Sequence, residues 1–317
     1  MTQAPTPGAD TVRRIVRTAL REARGAGPAG ADGPEIRPAG AGGHPVTWWV
    51  GDRHVLHLAA DRDAALRLRR ALRLRDLART HVPVTVPVSV ARGEWAPGLP
   101  YTLDTRVPGG PADEHDVSAL GEADLAALLT GLREVPVRAA ETLGVPRTAP
   151  RSVEALRRAA GPAAERLARA DEFDPARLTR LTGPAAGRLT AQPGTAVLVH
   201  HALTGEYLMV GVDGRVRGVL GWADAVLGDP AEDIAGLARA VGSPAAVRAA
   251  TLAGYGPRPC LRGLWLARCD TILHLARALT GRGPGPGDVT PVPPALPLLR
   301  SRLRRAWEPI LLERATE

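Results

Sequence analysis

From Asp10 onward apolar residues return every three or four positions, and Val12, Ile15, Val16, Ala19 and Leu20 fall on one face behind a capping Asp10. This predicts an exposed-side helix running into the glycine-rich stretch Gly25 to Gly33. Two strands follow, Val46 to Val50 and His54 to Leu58, joined by a Gly-Asp turn, and then an arginine-dense helix with an apolar stripe at Ala65, Leu68, Leu72 and Leu77. Further strands are expected over Val82 to Val90 and Tyr101 to Val107, the second ending in the turn Pro108 to Gly110. Beyond it the period becomes helical over Gly121 to Val135, Ser152 to Ala160 and Ala176 to Thr190. Short strands return at Ala196 to His200 and Tyr207 to Val212, and an Asp213-Gly214 turn leads into Arg215 to Leu220. Helices over Pro230 to Val241, about Cys260 to Thr280, and Pro297 to Leu312 close the chain, with a stiff proline-rich connector starting at Gly281 between the last two. The order predicts an α+β, two-lobed chain: a small antiparallel-sheet N-lobe over 1–104, a mostly helical C-lobe over 105–317, and a hinge near 101–110.

Composition narrows the function classes. The 317 residues are 44% hydrophobic, enough for real cores, and no segment reaches the about 18 uninterrupted apolar residues of a membrane span. The N-terminus has no positive region followed by an apolar run, so a cytoplasmic location is expected. Cys260 and Cys269 lie in a helical segment and read as core thiols, in neither a disulfide framework nor a zinc site. All 41 basic residues are arginine, and the chain contains no lysine and no asparagine; with 35 glycines and 30 prolines this points to a GC-rich, actinobacterial genome. The net charge of +8 invites a nucleic-acid reading, but aromatic residues are only 3%, and the stacking platforms of single-strand binders are missing. An anionic peptide or small molecule is the better match to the excess charge.

The segment HHALTGEYLMVGVDGRVRGVLGWADAVLGDPAEDIA, from His200 to Ala235, resembles the core of the aminoglycoside phosphotransferase family, whose members share the two-lobed protein-kinase-like fold. That family's pattern runs His-Gly-Asp-Leu, Asn-Val-Leu, an Asp-Gly hairpin, Ile-Asp-Trp, then Gly-Asp-Pro-x-x-Asp-Leu-Ala. Here His200, Leu203, Gly205, Asp213-Gly214, Trp222, Gly228-Asp229-Pro230, Asp233 and Ala235 match without a gap. Upstream, GGHPVTWWV resembles the phosphate-covering loop, VLHLAADRDAALRLRRALRLRDLA the third strand and next helix, and PYTLDTRVPGG the hinge.

Phosphoryl transfer in such folds needs a basic residue paired to a helix glutamate, an Asp that orients the acceptor, and an Asn and an Asp on magnesium. The resemblance assigns these roles to His57, Ala71, Ala202, Tyr207 and Gly221, none of which is the family's residue. It therefore implies no intact ATP and magnesium site and no expected cofactor, with no metal bound. His200, Asp229 and Asp233 match structural positions: a packed imidazole, a helix cap and the carboxylate that holds the loop's backbone.

What remains in the emptied cleft is titratable. His201 replaces a glycine, and imidazole is the usual general acid or base near neutral pH. Glu206, Tyr207, Asp224 and His57 are the other candidate proton carriers. The expected function is a degenerate kinase acting as a binding or scaffolding component in actinobacterial natural-product biosynthesis, with a peptide or small molecule as ligand and biosynthetic enzymes as partners. Family members do occur beside lyases in ribosomal-peptide pathways. The alternative is an enzyme that runs a nucleotide-independent elimination, addition or cyclisation; an active small-molecule kinase is a third reading.

Overall fold

The computed structural model describes residues 7–24, 34–39, 46–192, 196–281 and 295–310. The glycine-rich stretch 25–33, residues 42–45 of the expected phosphate-covering loop, and most of the proline-rich connector (282–294) lie outside them.

The N-lobe is built from α1 (Ala9–Arg24), β1 (Ile36–Pro38), β2 (Thr47–Val50), β3 (His54–Leu58), α2 (Arg62–Ala78), β4 (Ser89–Ala96) and β5 (Leu99–Thr105), with all five strands antiparallel in the order β1-β2-β3-β5-β4. The C-lobe continues through β6 (Gly110–Pro111), α3 (Ala119–Glu134), α4 (Val137–Thr142), α5 (Val153–Arg169), α6 (Ala176–Thr179) and α7 (Gly183–Arg188). Then come β7 (Val197–Val199), β8 (Leu208–Val210), β9 (Val216–Val219), a 3-10 turn at Trp222–Asp224, β10 (Val226–Gly228), α8 (Ala231–Val241), α9 (Ser243–Leu252), α10 (Pro257–Leu279) and α11 (Leu296–Ala306). Among the described residues no helix is long and apolar enough to cross a membrane.

The first helix is exposed along its arginine side, as expected, while its apolar face covers the sheet: Val12, Val16 and Ala19 are fully buried against Trp48, Leu56, Tyr101 and Leu103. Several expectations need correcting. The stretch Val82 to Val88 is not a sheet strand, since Pro83 and Pro87 cannot donate to a ladder, and β4 starts only at Ser89. It is instead stitched to the C-lobe at Thr85, which receives the Val219 N–H (3.0 Å) and donates to the Arg217 carbonyl (3.1 Å). A Cβ on Gly218 would come within 2.3 Å of the Thr85 oxygen, so this crossing requires glycine. Ala176 to Thr190 breaks into two short helices at Gly183-Pro184, α5 runs past Pro162 to Arg169, and α9, built from small residues without a clear apolar period, has no counterpart in the expected elements.

The stripe of α2 is also rotated from the expected one. Its buried residues are Ala65, Ala71, Leu74, Arg75 and Ala78, and Ala71, Leu74 and Ala78 belong to the main C-lobe core. Arg75 turns inward because Asp104 of β5 waits there: Nη1 reaches Oδ2 at 2.6 Å, and Ser89 Oγ donates to Oδ1 at 2.5 Å. Burial alone would raise the Asp104 carboxyl, but Arg75, His57 and Ser89 together hold it below its ordinary value. Removing one partner of such a pair strands a buried charge. Arg75→Met is therefore expected to destabilise the protein by about 3–5 kcal/mol in urea unfolding.

Candidate functional site: the interlobe loop and its clamp

β7 delivers the chain into a loop, residues 200–207, and β8 takes it away. The loop hangs on Asp233, in the first turn of α8. Its Oδ2 accepts the N–H of His200 and its Oδ1 that of His201, each at 2.8 Å. Burial pushes the Asp233 carboxyl up to about 7, against the pull of those two N–H groups. Asp229, just before the same helix, accepts the Ala231 N–H (3.0 Å) and pairs with Arg262 Nε (2.5 Å). The His200 ring is fully buried and lies edge-on to Trp222, centroids 4.8 Å apart at 81°. Burial lowers its pKa to about 3, outweighing the Leu220 backbone, so the imidazole is neutral. His200, Asp229 and Asp233 are thus all spent on packing and backbone support.

The positions assigned to metal ligation touch one another. A Cβ built on Gly221 would stand 2.8 Å from Tyr207 Cδ1, and Gly221 itself has φ of +83°, which disfavours any other residue. The Tyr207 ring occupies the room a carboxylate at 221 would need. Tyr207 also receives the Leu220 N–H on its carbonyl (2.8 Å), so the backbone ladder holds the two positions together. Ala202, five residues before Tyr207, is buried. Among the described residues no cluster of three or more His, Cys, Asp or Glu could hold a metal ion.

The candidate proton carriers divide. His201 is exposed and has φ of +67°, one of two non-glycine residues among those described with positive φ. Asp224 is half-buried; burial raises its carboxyl, while Arg67, His201 and Arg70 oppose that rise. Tyr207 is raised by burial and then by the charges of Glu206 and Asp224. His201, Tyr207 and Asp224 therefore share one electrostatic neighbourhood, walled on the N-lobe side by α2, whose Arg70 donates to the Ala223 carbonyl at 2.8 Å.

Glu206 is drawn elsewhere. Its carboxylate pairs with Arg302 of α11, which also holds Asp113 at 2.8 Å. His57 is on the sheet, with Nδ1 3.3 Å from Thr47 Oγ1 and Nε2 3.8 Å from Asp104 Oδ2, and Ala71 offers it no carboxylate. Sequence reasoning missed Arg75, Asp104, Asp113 and Arg302; the one available signal was a lone aspartate inside the apolar strand Tyr101 to Val107.

Two measurements follow from the loop. A left-handed conformation costs a residue with a Cβ about 1–2 kcal/mol, and the Asp233 contact is to backbone, so His201→Gly is expected to raise stability by about 1 kcal/mol in thermal unfolding. For His200 the folded-state value, about 3, lies below the unfolded 6.5. Folding thus excludes a proton, and the stabilisation is full above pH 6.5 and lost as pH falls toward 3. Wild type is expected to lose stability relative to His200→Asn on the order of 1.4 kcal/mol per pH unit between these limits, read from unfolding midpoints at stepped pH.

Known proteins share this frame. No curated protein matches the chain in sequence. The family described as "Phosphotransferase enzyme family" matches residues 35–296. The chain is similar to the GDP complex of wild-type aminoglycoside 2'-phosphotransferase-IIIa, with a TM-score of 0.61 at 17% identity, over 96% of this chain and 99% of that one. It is similar too to the apoenzyme of macrolide 2'-phosphotransferase MphH from Brachybacterium faecium, with a TM-score of 0.56 at 19% identity, over 95% and 99%. Identities this low establish a shared fold, and the family match spans most of the 317 residues. With its antiparallel N-lobe, helical C-lobe and Asp233-clamped loop, this chain belongs to the phosphotransferase enzyme family and has the kinase-like fold.

Proposed function

We propose that this family member binds a ligand in its interlobe cleft without transferring a phosphoryl group. The observation that carries the reading is the Tyr207 ring lying against Gly221, which fills the space between the two positions where metal ligands are expected. Hard cations require oxygen ligands, and alanine, tyrosine and glycine at 202, 207 and 221 supply no carboxylate. Phosphoryl transfer is almost entirely positioning and charge neutralisation, so losing these groups removes the reaction's main stabilisation. The cleft carries arginine instead: Arg70 donates to the Ala223 carbonyl beside Asp224, and Arg67 and Arg70 both lower the Asp224 carboxyl against its burial. This favours an anionic small molecule or peptide, and the resemblance supports a role as binding or scaffolding component of a natural-product pathway, beside partner enzymes.

The shared neighbourhood of His201, Tyr207 and Asp224 favours one second reading, proton transfer in a nucleotide-independent elimination, addition or cyclisation. In that reading Glu206 takes no part, since Arg302 holds it. The two readings separate on His201→Ala combined with Asp224→Asn: unchanged product formation leaves binding alone.

Magnesium-dependent release of ADP from ATP and calorimetric binding of ATP test the main reading. Turnover no faster than a protein-free blank is expected; robust magnesium-dependent transfer to any acceptor overturns it.

A further inference from the structure

A cavity of about 280 Å³ opens on the C-lobe between the end of α3, the start of β7 and the first turns of α10. None of the cleft residues His201, Tyr207 and Asp224 lines it. Its walls are mostly apolar, from Ala191, Ala196, Val197, Pro230 and Pro259, and three guanidinium groups and one phenol interrupt them. The three arginines are not equivalent. Arg262 is buried and fully used, with Nε on Asp229 (2.5 Å), Nη1 on the Leu189 carbonyl (2.6 Å) and Nη2 on the Arg151 carbonyl (2.6 Å). It forms the floor and neutralises Asp229, the one carboxylate in the lining.

Among the described residues Arg258 is anchored through Nη2, to the Arg188 carbonyl (2.9 Å) and Thr190 Oγ1 (3.1 Å). The Arg133 guanidinium carbon lies over the Tyr255 ring, 5.3 Å from its centroid, and has no carboxylate partner among the described residues. The ring face holds the cation electrostatically, and the planar fork of a guanidinium suits bidentate capture of a carboxylate. Burial pushes the Tyr255 phenol up to about 12, so its O–H remains a donor at neutral pH. The pocket therefore presents two held cations above apolar walls, and its acidic member is already paired.

We propose that this cavity is a binding site for a small organic acid, its carboxylate held by Arg133 and Arg258 and its apolar body lying against Val197, Pro230 and Pro259. The chemistry is that of an amphipathic monoanion, supplied either as a free acid or as the C-terminal carboxylate of a short peptide. The site is independent of the cleft and of whether the cleft transfers phosphate.

Calorimetry or ligand-detected NMR on the full chain decides it, with benzoate as probe, benzamide as its uncharged control, and the tripeptide Ala-Ala-Phe with a free or amidated C-terminus. Benzoate is expected to saturate below about 10 mM, and benzamide to bind at least tenfold more weakly. Arg133→Ala and Arg258→Ala, both at exposed positions, are each expected to weaken benzoate about tenfold or more. Arg133→Lys is expected to recover part of that loss, and Arg67→Ala in the cleft to change nothing. Saturation by the free tripeptide but not the amide identifies a chain terminus as the source; saturation by benzoate alone identifies a free acid. Equal binding of benzoate and benzamide, affinity untouched by both alanine variants, or no saturation by benzoate in that range overturns the proposal.

Discussion

Both oxygens of Asp233 accept a backbone N–H from the loop above it, at 2.8 Å from His200 and 2.8 Å from His201, and the shape of the cleft follows from that clamp. Holding two consecutive N–H groups on one carboxylate bends the chain sharply, which is why residue 201 lies at φ of +67° even though it carries a Cβ. The same bend buries His200 against Trp222 and sends the His201 side chain outward. One buried carboxylate thus separates two adjacent histidines into a neutral packing element and an exposed titratable group.

Around the clamp, a few side-chain contacts set what lines the cleft. Tyr207 fills the space over Gly221, Arg302 of α11 draws Glu206 aside, and Arg70 ties α2 to the turn that carries Asp224. In the N-lobe the charged pair joins the helix to β5, through Arg75 and Asp104, where a kinase-like site would join it to the third strand. The helix is seated on the sheet by this buried ion pair to β5.

Much of this architecture is legible in the sequence. Period and turn residues locate β3 residue for residue and most other strands and helices within a few positions, because those elements bury one regular face. The matched run from His200 to Ala235 places the loop and its Asp233 clamp, since each is fixed by local spacing. The failures share a physical cause: they depend on partners distant in sequence. Arg75 sits among arginines that look solvated, and only Asp104, 29 residues on, turns it inward. Arg302 reads as part of a charged helix until Asp113 and Glu206 are brought to it by the fold. Glu206 reads as a proton carrier for the same reason, since nothing nearby in sequence says that its carboxylate is taken.

The basic charge of the chain also changes meaning. Arg75, Arg262, Arg268 and Arg302 are buried, and each donates to carboxylates or main-chain carbonyls inside the protein. A lysine carries its donors on a single nitrogen, whereas the planar guanidinium spreads them over three and bridges acceptors set apart, as Arg262 does between Asp229 before α8, Leu189 after α7 and Arg151 before α5. A chain whose only cation is arginine can therefore stitch its C-lobe with internal charge. Such pairing removes positive and negative charge together, so the net +8 of the sequence is carried by the groups outside these pairs. The same residue type also lines the C-lobe cavity, where Arg262 is spent on Asp229 and two main-chain carbonyls while Arg133 and Arg258 stand exposed.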